Sequence, residues 1–336
     1  NTKSEEGYEA LCRIIKDSDV FLANYRTKGL RKMKLSYEDV KALNPKIIYA
    51  TLTGYGDKGP ICDMPGNNVS AFYARGGVLQ VMSQGDVLPY GTIAFGDIAT
   101  GESLAFAIVM ALYNRQITGE GCKVTSSLLQ KAYFLNHDPM IDVQLGGKFP
   151  KTRLTPKRAL VNSYMCKDGK YVYLCIADLP PFMRLLENLG RQDIINSREW
   201  TSIYDTMDDN AHGVVKLLDE EFAKLTSDEA MDILIKSDCS AQKVMSIEET
   251  LQDEQAWANN YMYHGKDSRI DKDIIFPSMP FDIGDDENNP YERGPRMGEN
   301  SVEILKQYGY SDEEIQGMLD RKVTVDGSKE DLFKAQ

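Results

Sequence analysis

The sequence predicts an α/β protein. A doubly wound, Rossmann-like parallel sheet forms the larger domain, and a smaller α+β domain follows it. Two short apolar stretches at 20–24 and 47–52 flank a helical stretch at 36–43, and such alternation is typical of parallel β-α-β units. A hairpin pattern at 164–176 precedes several helical segments. The chain of 336 residues is long enough for both domains.

The first half contains the elements of the larger domain, predicted at 1–140. Residues 4–15 form an amphipathic helix that begins at Ser4 and has Glu5 and Glu6 in its first turn, where carboxylates stabilise a helix. The strand at 20–24, the helix at 36–43 and the strand at 47–52 follow. A further strand at 123–127 leads into a helix at 128–136. Strands and helices in this order predict a parallel sheet with helices on both faces.

A long apolar helix begins near Asp97. Residues 98–118 are rich in Ala, Leu, Ile and Met, contain no Pro and end at Gly119, so we expect one buried helix with a glycine stop. Asp97 then lies at or near the N-cap, where backbone N–H groups and the helix dipole favour an ionised carboxylate. Beside the small residues Gly96 and Ala99, such a group can attack an activated acyl carbon. Asp is also among the commonest N-caps, which is the alternative role.

The second half predicts a separate unit. Gly, Pro, Lys and Arg interleave over 141–161, which indicates a linker. The turn Lys167-Asp168-Gly169-Lys170 joins the two strands of the hairpin. Helical segments at 181–189, 214–225 and 228–236 complete a small α+β domain at 162–260. A second linker is expected at 261–290, and helices at 302–308 and 311–319 lie in the tail at 291–336.

Composition narrows the class of protein. A net charge of −12 argues against nucleic-acid binding as the main role. The six cysteines form no C-x-x-C pair, so we expect neither a metal site nor a disulfide framework, and reduced thiols in a cytoplasmic protein. The apolar run at 104–113 is too short to span a bilayer, and no basic-then-apolar leader opens the chain. We therefore expect no membrane partner.

One basic cluster contrasts with this acidic background. Five positive charges lie within nine residues, directly after the first strand: Arg26, Lys28, Arg31, Lys32 and Lys34. A polyanionic ligand would bind where local cations offset the repulsion of an acidic surface. A solvated helix flank is the alternative explanation for such a run of charge.

Eight short segments occur in a fixed order along the chain. They are Lys3-Ser4-Glu5-Glu6-Gly7, Val20-Phe21-Leu22-Ala23-Asn24-Tyr25, Asn44-Pro45-Lys46-Ile47-Ile48, Gly54-Tyr55-Gly56-Asp57-Lys58-Gly59-Pro60, Gly96-Asp97, Thr118-Gly119-Glu120-Gly121, Tyr164-Met165-Cys166-Lys167-Asp168-Gly169-Lys170 and Gly294-Pro295-Arg296-Met297-Gly298-Glu299-Asn300. Together they resemble the motifs of the class III CoA-transferases, the family of formyl-CoA and carnitine CoA-transferases. Asn300 stands where the closing motif of that family has His.

The resemblance implies a function for these residues. Asp97 matches the nucleophilic Asp of the family, which moves CoA between acids through anhydride and aspartyl-CoA thioester intermediates. No prosthetic group is expected, since coenzyme A and acyl-CoA are substrates. The positions matching the CoA site of the family are Lys3, Asn24, Tyr25, Arg26, Arg31 and Lys32.

The resemblance also implies an assembly. Relatives form homodimers whose two chains interlock like rings, with each site at the interface, and their C-terminal segment returns to the larger domain. This chain opens in what resembles the second helix of the sheet domain, so the family's N-terminal strand–loop–helix unit is expected to be missing.

The expected acceptor is a 2-hydroxy acid. Oxalate-related members have a run of glycines where this chain has Thr155-Pro156-Lys157, which argues against oxalate or formate. The segments at 73–77 and 253–259 resemble the clostridial 2-hydroxyacid CoA-transferases, which act on phenyllactate or 2-hydroxyisocaproate. The expected substrate-binding residues are Asn68, Phe72, Tyr73 and Phe95. An ordinary core role is the alternative for each aromatic residue.

Two alternative functions remain. Alpha-methylacyl-CoA racemases resemble this chain but have Gly-His-Asp where it has Gly66-Asn67-Asn68, and a neutral Asn cannot serve as a general acid or base near pH 7. The chain could also be an inactive fragment that only binds CoA. The transferase prediction requires the Asp97 carboxylate to face a cleft from which water is excluded.

Overall fold

The computed structural model describes residues 1–91, 94–267, 272–284 and 294–328. The chain divides into two compact units, one of residues 1–150 together with 294–336, and one of residues 151–293. The first boundary between the units lies within the first predicted linker, and the second boundary lies just after the second predicted linker. Residues 268–271 and 285–290 of the second predicted linker, and 291–293 and 329–336 of the predicted tail, lie outside the described residues.

The first unit contains most of the predicted elements. Up to residue 150 they are α1 (Glu5–Asp17), β1 (Val20–Ala23), α2 (Thr27–Lys32), α3 (Tyr37–Leu43), β2 (Ile48–Thr53), a π-helical turn (Asn68–Ala74), α4 (Val78–Val81), α5 (Phe95–Thr118), β3 (Lys123–Ser127), α6 (Leu128–Leu135) and α7 (His137–Gln144). Polar side chains cap α1, as expected, and α3. Ser4 accepts a hydrogen bond from the Gly7 amide, and Ser36 forms a reciprocal capping box with Asp39.

The three strands form a parallel sheet in the order β1-β2-β3, with Ala23 beside Thr51 and Thr53 beside Ser127. Five of the six residues of β2 are buried, as expected for a strand covered on both faces. Helices α1, α2 and α3 pack around Phe21 and Tyr49 on one face. Helix α5 packs against β2 and β3. The predicted α/β fold with a parallel sheet is confirmed.

Helix α5 differs from the prediction of one buried helix. Gly96, Thr100, Leu104 and Ala111 are its buried residues. Its exposed large apolar residues are Phe95, Ile98, Phe106, Val109, Met110, Tyr113 and Ile117. By length and composition alone α5 would also suit a membrane span, but it packs on the sheet and Arg115 in its last turn pairs with Asp19 at 2.6 Å. Hydropathy could not show which apolar residues this chain covers itself.

The second unit is α+β, as predicted. It contains β4 (Val161–Met165), β5 (Tyr171–Cys175), α8 (Leu179–Asn188), α9 (Gln192–Ser197), α10 (Ala211–Phe222), α11 (Ser227–Lys236), β6 (Ala241–Lys243), α12 (Ile247–Thr250), α13 (Glu254–Ala258), β7 (Met262–Asp267) and β8 (Lys272–Pro277). The predicted hairpin is β4-β5, paired antiparallel from Val161–Cys175 to Met165–Tyr171. Strand β6 joins its β5 edge. The core includes Phe182, Leu218 and Phe222, all fully buried.

Two predicted linkers contain regular structure. Helix α7 extends into the first, and the antiparallel pair β7-β8 occupies part of the second. The strands of that pair carry as many polar as apolar residues. Their alternating hydrophobic pattern is therefore weak, which is why sequence periodicity missed them.

The last elements are α14 (Ser301–Gln307) and α15 (Asp312–Asp320). They belong to the first unit, where Leu305, Ile315 and Met318 pack with Ala10 of α1. Arg321 pairs with Glu6 at 2.6 Å. The C-terminal residues thus complete the helix layer around α1.

A charged network in the second unit leads to a pH prediction. Arg191 donates to Asp193 at 2.8 Å and to Glu221 at 2.9 Å. This hydrogen bonding lowers the pKa of Asp193 to about 2. Burial raises the pKa of Glu221, but hydrogen bonds from Lys224 and Arg191 outweigh it, so the net pKa is lowered.

Because both carboxyls have depressed pKa values in the folded state, their contribution to stability is present above the unfolded pKa and is lost as pH falls through the folded one. We expect the urea midpoint of unfolding to fall between about pH 4 and about pH 2. In Arg191→Met this dependence should be shallower. Equal slopes in the two proteins would contradict the prediction.

Candidate active site

Asp97 is the third residue of α5 rather than its N-cap. The N-cap is Ala94, whose backbone has φ = +68° and whose side chain makes no capping hydrogen bond. The Asp97 side chain is exposed on this chain. The expectation of a cleft that excludes water is therefore not met by the described residues of one chain, although the carboxylate is accessible to an incoming acyl group.

The residue before Asp97 is held tightly. The Gly96 amide donates a buried hydrogen bond of 2.9 Å to Oδ1 of Asn68, and the Thr100 hydroxyl donates to the Gly96 carbonyl at 2.6 Å. A Cβ on Gly96 would lie 2.4 Å from Cγ of Phe72 and 2.6 Å from Oδ1 of Asn68. Only glycine fits here without displacing its neighbours. Packing therefore requires a glycine before Asp97, in addition to the chemical role expected of Asp97 itself.

Asn68 was expected to contact substrate, and the structure gives it another position. The residue is only 5% exposed and its side-chain oxygen accepts from the Gly96 amide. It begins the π-helical turn, which a capping box between Asn67 and Ser70 holds in place. Such turns are frequent at functional sites. The Asn-x-x-Ser spacing was the sequence signal for this turn, but nothing local in the sequence indicated its partner 28 residues away.

The three aromatic residues expected to bind substrate lie together. Phe72, Tyr73 and Phe95 line an apolar groove of about 470 Å³ beside the first turns of α5. The other lining residues are Val78, Met82, Ile98, Ala99, Glu102 and Leu135. Asp97 is not among them. Successive helical residues are about 100° apart around the axis, so its carboxylate lies on a different side of α5 from this groove.

The expected CoA-binding residues follow the carboxyl end of β1. Asn24, Tyr25 and Arg26 are exposed there, and a hydrogen bond of 2.9 Å from Arg26 to the Asp63 carbonyl ties this segment to the loop after β2. Ligands of open α/β sheets commonly bind at this edge. Arg31 and Lys32 are exposed in the last turn of α2.

Part of this cluster lines a small polar cavity of about 90 Å³. Tyr25 and Arg31 line it, together with Thr51, Lys123 and other residues. The Thr51 hydroxyl is buried and has no hydrogen-bond partner within the described ranges. A buried hydroxyl without a partner is costly, so this cavity suits a polar group. Lys32 does not line the cavity, and neither does Lys3, which precedes α1.

Comparisons with known proteins agree with these observations. A family model described as CoA-transferase family III matches residues 1–301. The chain is 32% identical over 325 residues to (R)-2-hydroxy-4-methylpentanoate CoA-transferase of Clostridioides difficile, covering 96% of this chain and 81% of the relative. It is 34% identical over 321 residues to cinnamoyl-CoA:phenyllactate CoA-transferase of Clostridium sporogenes, covering 94% and 78%.

A solved structure shares the fold. The crystal structure of a CAIB/BAIF family protein from Brucella suis superposes with a TM-score of 0.74 and 24% sequence identity, covering 92% of this chain and 80% of that one. At this identity the similarity concerns the fold alone.

Proposed function

Because the chain belongs to CoA-transferase family III, we propose that it moves coenzyme A from an acyl-CoA donor to a 2-hydroxy acid through Asp97. The observation that carries the proposal is the first turn of α5. There, an accessible carboxylate directly follows a glycine that is clamped by Asn68 and packed on Phe72. A nucleophile on such a rigid turn keeps one orientation toward an incoming thioester.

The proposed reaction runs through three carbonyl centres, which belong to the donor acid, to Asp97 and to the acceptor acid. The Asp97 carboxylate attacks the thioester carbonyl, the C–S bond breaks, and a mixed anhydride and CoA thiolate form. The thiolate attacks the aspartyl carbonyl of the anhydride, giving an aspartyl-CoA thioester and releasing the donor acid. The acceptor carboxylate then attacks this thioester and regenerates the thiolate. Attack of the thiolate on the acceptor carbonyl forms the new acyl-CoA and frees Asp97.

Each step passes through an oxyanion that needs hydrogen-bond donors. Two amides in the first turn of α5 are already engaged, since Gly96 donates to Asn68 and Ile98 donates to the Ala94 carbonyl. The oxyanion donors must therefore be other groups than these two. The Gly96 amide serves the helix rather than the reaction.

We propose an acid with an apolar side chain, branched aliphatic or aromatic. Two relatives named for 2-hydroxy-4-methylpentanoate and phenyllactate support this choice. The groove lined by Phe72, Tyr73 and Phe95 lies on a different side of α5 from the Asp97 carboxylate, so the choice of acid rests on these relatives. A panel of 2-hydroxy acids offered with a fixed acyl-CoA donor would identify the acceptor by mass spectrometry of the new thioester.

The proposed CoA site comprises Lys3, Asn24, Tyr25, Arg26, Arg31 and Lys32. We expect the double variant Arg31→Gln, Lys32→Gln to raise KM for acyl-CoA about tenfold with little change in kcat, because charge-assisted hydrogen bonds to phosphate contribute binding energy. Steady-state kinetics at two salt concentrations measures this. As a control, Lys236→Gln removes an exposed charge from the second unit. The prediction fails if the double variant and this control have the same KM.

A homodimer would supply the cover that Asp97 lacks on one chain. An anhydride exposed to water would hydrolyse, so the site needs a second surface. The exposed apolar residues of α5, including Val109 and Tyr113, form a face that a second copy would bury. We expect Val109→Asp, Tyr113→Asp to shift the protein toward monomer in sedimentation velocity. Ile235→Asp, an equally exposed apolar site in the second unit, should not.

One assay separates transfer from the alternatives. The protein is incubated in deuterated water with an acyl-CoA donor, with and without a 2-hydroxy acid. A transferase forms the new acyl-CoA only when the acceptor is present and leaves the α-carbon unlabelled. A racemase-like enzyme incorporates deuterium at the α-carbon without an acceptor. The racemase alternative is disfavoured because Asn67, at the position of the racemase His, accepts a hydrogen bond from the Ser70 amide. An inactive CoA-binding fragment gives neither product.

A further inference from the structure

We propose that Asn68 is a positioning residue, which caps α5 from a separate segment and thereby orients the Asp97 carboxylate. The inference rests on the proposed function, because orientation of Asp97 matters only if Asp97 reacts. It assigns to Asn68 an action through the backbone of α5 rather than on the substrate.

Helix α5 has no side-chain cap at its own N-cap residue. A helix begins with amides that have no partner inside the helix. In most helices a Ser, Thr, Asp or Asn at the N-cap accepts from one of them. Helix α5 has Ala94 there, without a side-chain oxygen. Oδ1 of Asn68 accepts from the Gly96 amide at 2.9 Å instead, so the acceptor comes from the π-helical turn.

The contact between Asn68 and Gly96 is held rigidly from both sides. Asn68 is 5% exposed, and the Asn67–Ser70 capping box fixes the turn that carries it. On the α5 side, Gly96 lies against Phe72 with no room for a Cβ, and its carbonyl accepts from Thr100. Gly96, the residue that leads into Asp97, is thus held at both its own N–H and its own C=O. A change at Asn68 must move the residue that follows Gly96.

Ala94, at the entry to α5, has a strained backbone. Its φ of +68° lies in the left-handed region, where a residue with a Cβ is strained by about 1 kcal/mol. Such a conformation persists only where surrounding contacts hold it. The hydrogen bond to Asn68 is one such contact, two residues along the chain. Loss of this bond would release the strained entry to α5 together with its first turn.

The experiment compares three variants. Asn68→Leu removes the acceptor at similar volume and should lower kcat about a hundredfold while changing KM for both substrates less than about threefold, since misplacement of a nucleophile acts on the reacting state. Asn68→Asp keeps an acceptor oxygen and should recover most of kcat.

Asn136→Leu is the matched control. This residue is a buried Asn in the same unit, 8% exposed, whose side chain donates to the Gly76 carbonyl at 2.8 Å. It should lose stability without losing kcat. Equal kcat losses in Asn68→Leu and Asn136→Leu would overturn the proposal, as would a folded Asn68→Leu with wild-type kcat.

A second measurement does not depend on activity. Hydrogen exchange of the Gly96 amide should be slow in the wild type and much faster in Asn68→Leu, while amides in the middle of α5 stay protected. If the wild type shows no transfer but exchange changes as expected, the proposed function fails and the cap stands. Unchanged exchange at Gly96 would overturn the positioning role itself.

Discussion

Asp97→Ala is expected to lower the rate of CoA transfer by at least about a thousandfold, because it removes the group that carries the acyl chain and then CoA. The substitution takes a side chain from an exposed position of α5, so the fold and CoA binding should survive. Transfer is measured by mass spectrometry of the new acyl-CoA. Hydroxylamine added during turnover should mark Asp97 as a hydroxamate in the wild type and leave the variant unmarked.

The control is Asp138→Ala. Asp138 is an exposed carboxylate in the first turn of α7, in the same unit. Its loss removes the same charge from a similar helical position, so transfer should stay within about twofold of wild type. Retained transfer in Asp97→Ala, or a hydroxylamine mark on another residue, would reject the mechanism.

Gly96→Ala is the second substitution with a large expected effect. The new Cβ would lie 2.4 Å from Cγ of Phe72 and 2.6 Å from Oδ1 of Asn68. Overpacking of this kind costs about 1–3 kcal/mol, because side chains and backbone must shift to relieve it. The shift moves the first turn of α5, so we expect kcat to fall about a hundredfold as well. Thermal unfolding and steady-state kinetics measure the two effects.

Gly101→Ala is the matched control for Gly96→Ala. Gly101 lies five residues further along the same helix, and a Cβ there would meet no atom of the described chain within 4 Å. Alanine is a better helix former than glycine, so this variant should gain about 0.5–1 kcal/mol of stability. If Gly96→Ala has the same stability and kcat as Gly101→Ala, the tight packing at the start of α5 does not affect function.

The local features of the fold were predictable from neighbouring residues. Ser4 and Ser36 marked helix starts, and each accepts the expected amide hydrogen bond. The turn at Gly169 predicted the β4-β5 hairpin. Strand β3 has the predicted bounds, Lys123–Ser127. Caps, turns and hydrophobic period depend on residues a few positions apart, so the sequence displays them directly.

The details of the candidate site were less predictable. Gly96-Asp97 was found from a motif, and the aromatic residues Phe72, Tyr73 and Phe95 do share one groove. The sequence placed Asp97 at or near the N-cap of α5, and it is the third residue of that helix. The sequence did not indicate that the Asn68 side chain accepts from the Gly96 amide, because nothing near Asn68 in the chain reveals a backbone partner in another segment.

The sequence by itself determined the three strands of the parallel sheet, the β4-β5 hairpin, several of the helices and the family. Only the tertiary structure decided that Asn68 caps a helix that begins 27 positions later, that Gly96 has no room for a side chain, and that much of α5 stays uncovered on one chain. The physical reason is the separation along the chain of the residues that interact. Propensity and period act between near neighbours, whereas a cap supplied by another segment or an exposed apolar face exists only after distant segments have packed.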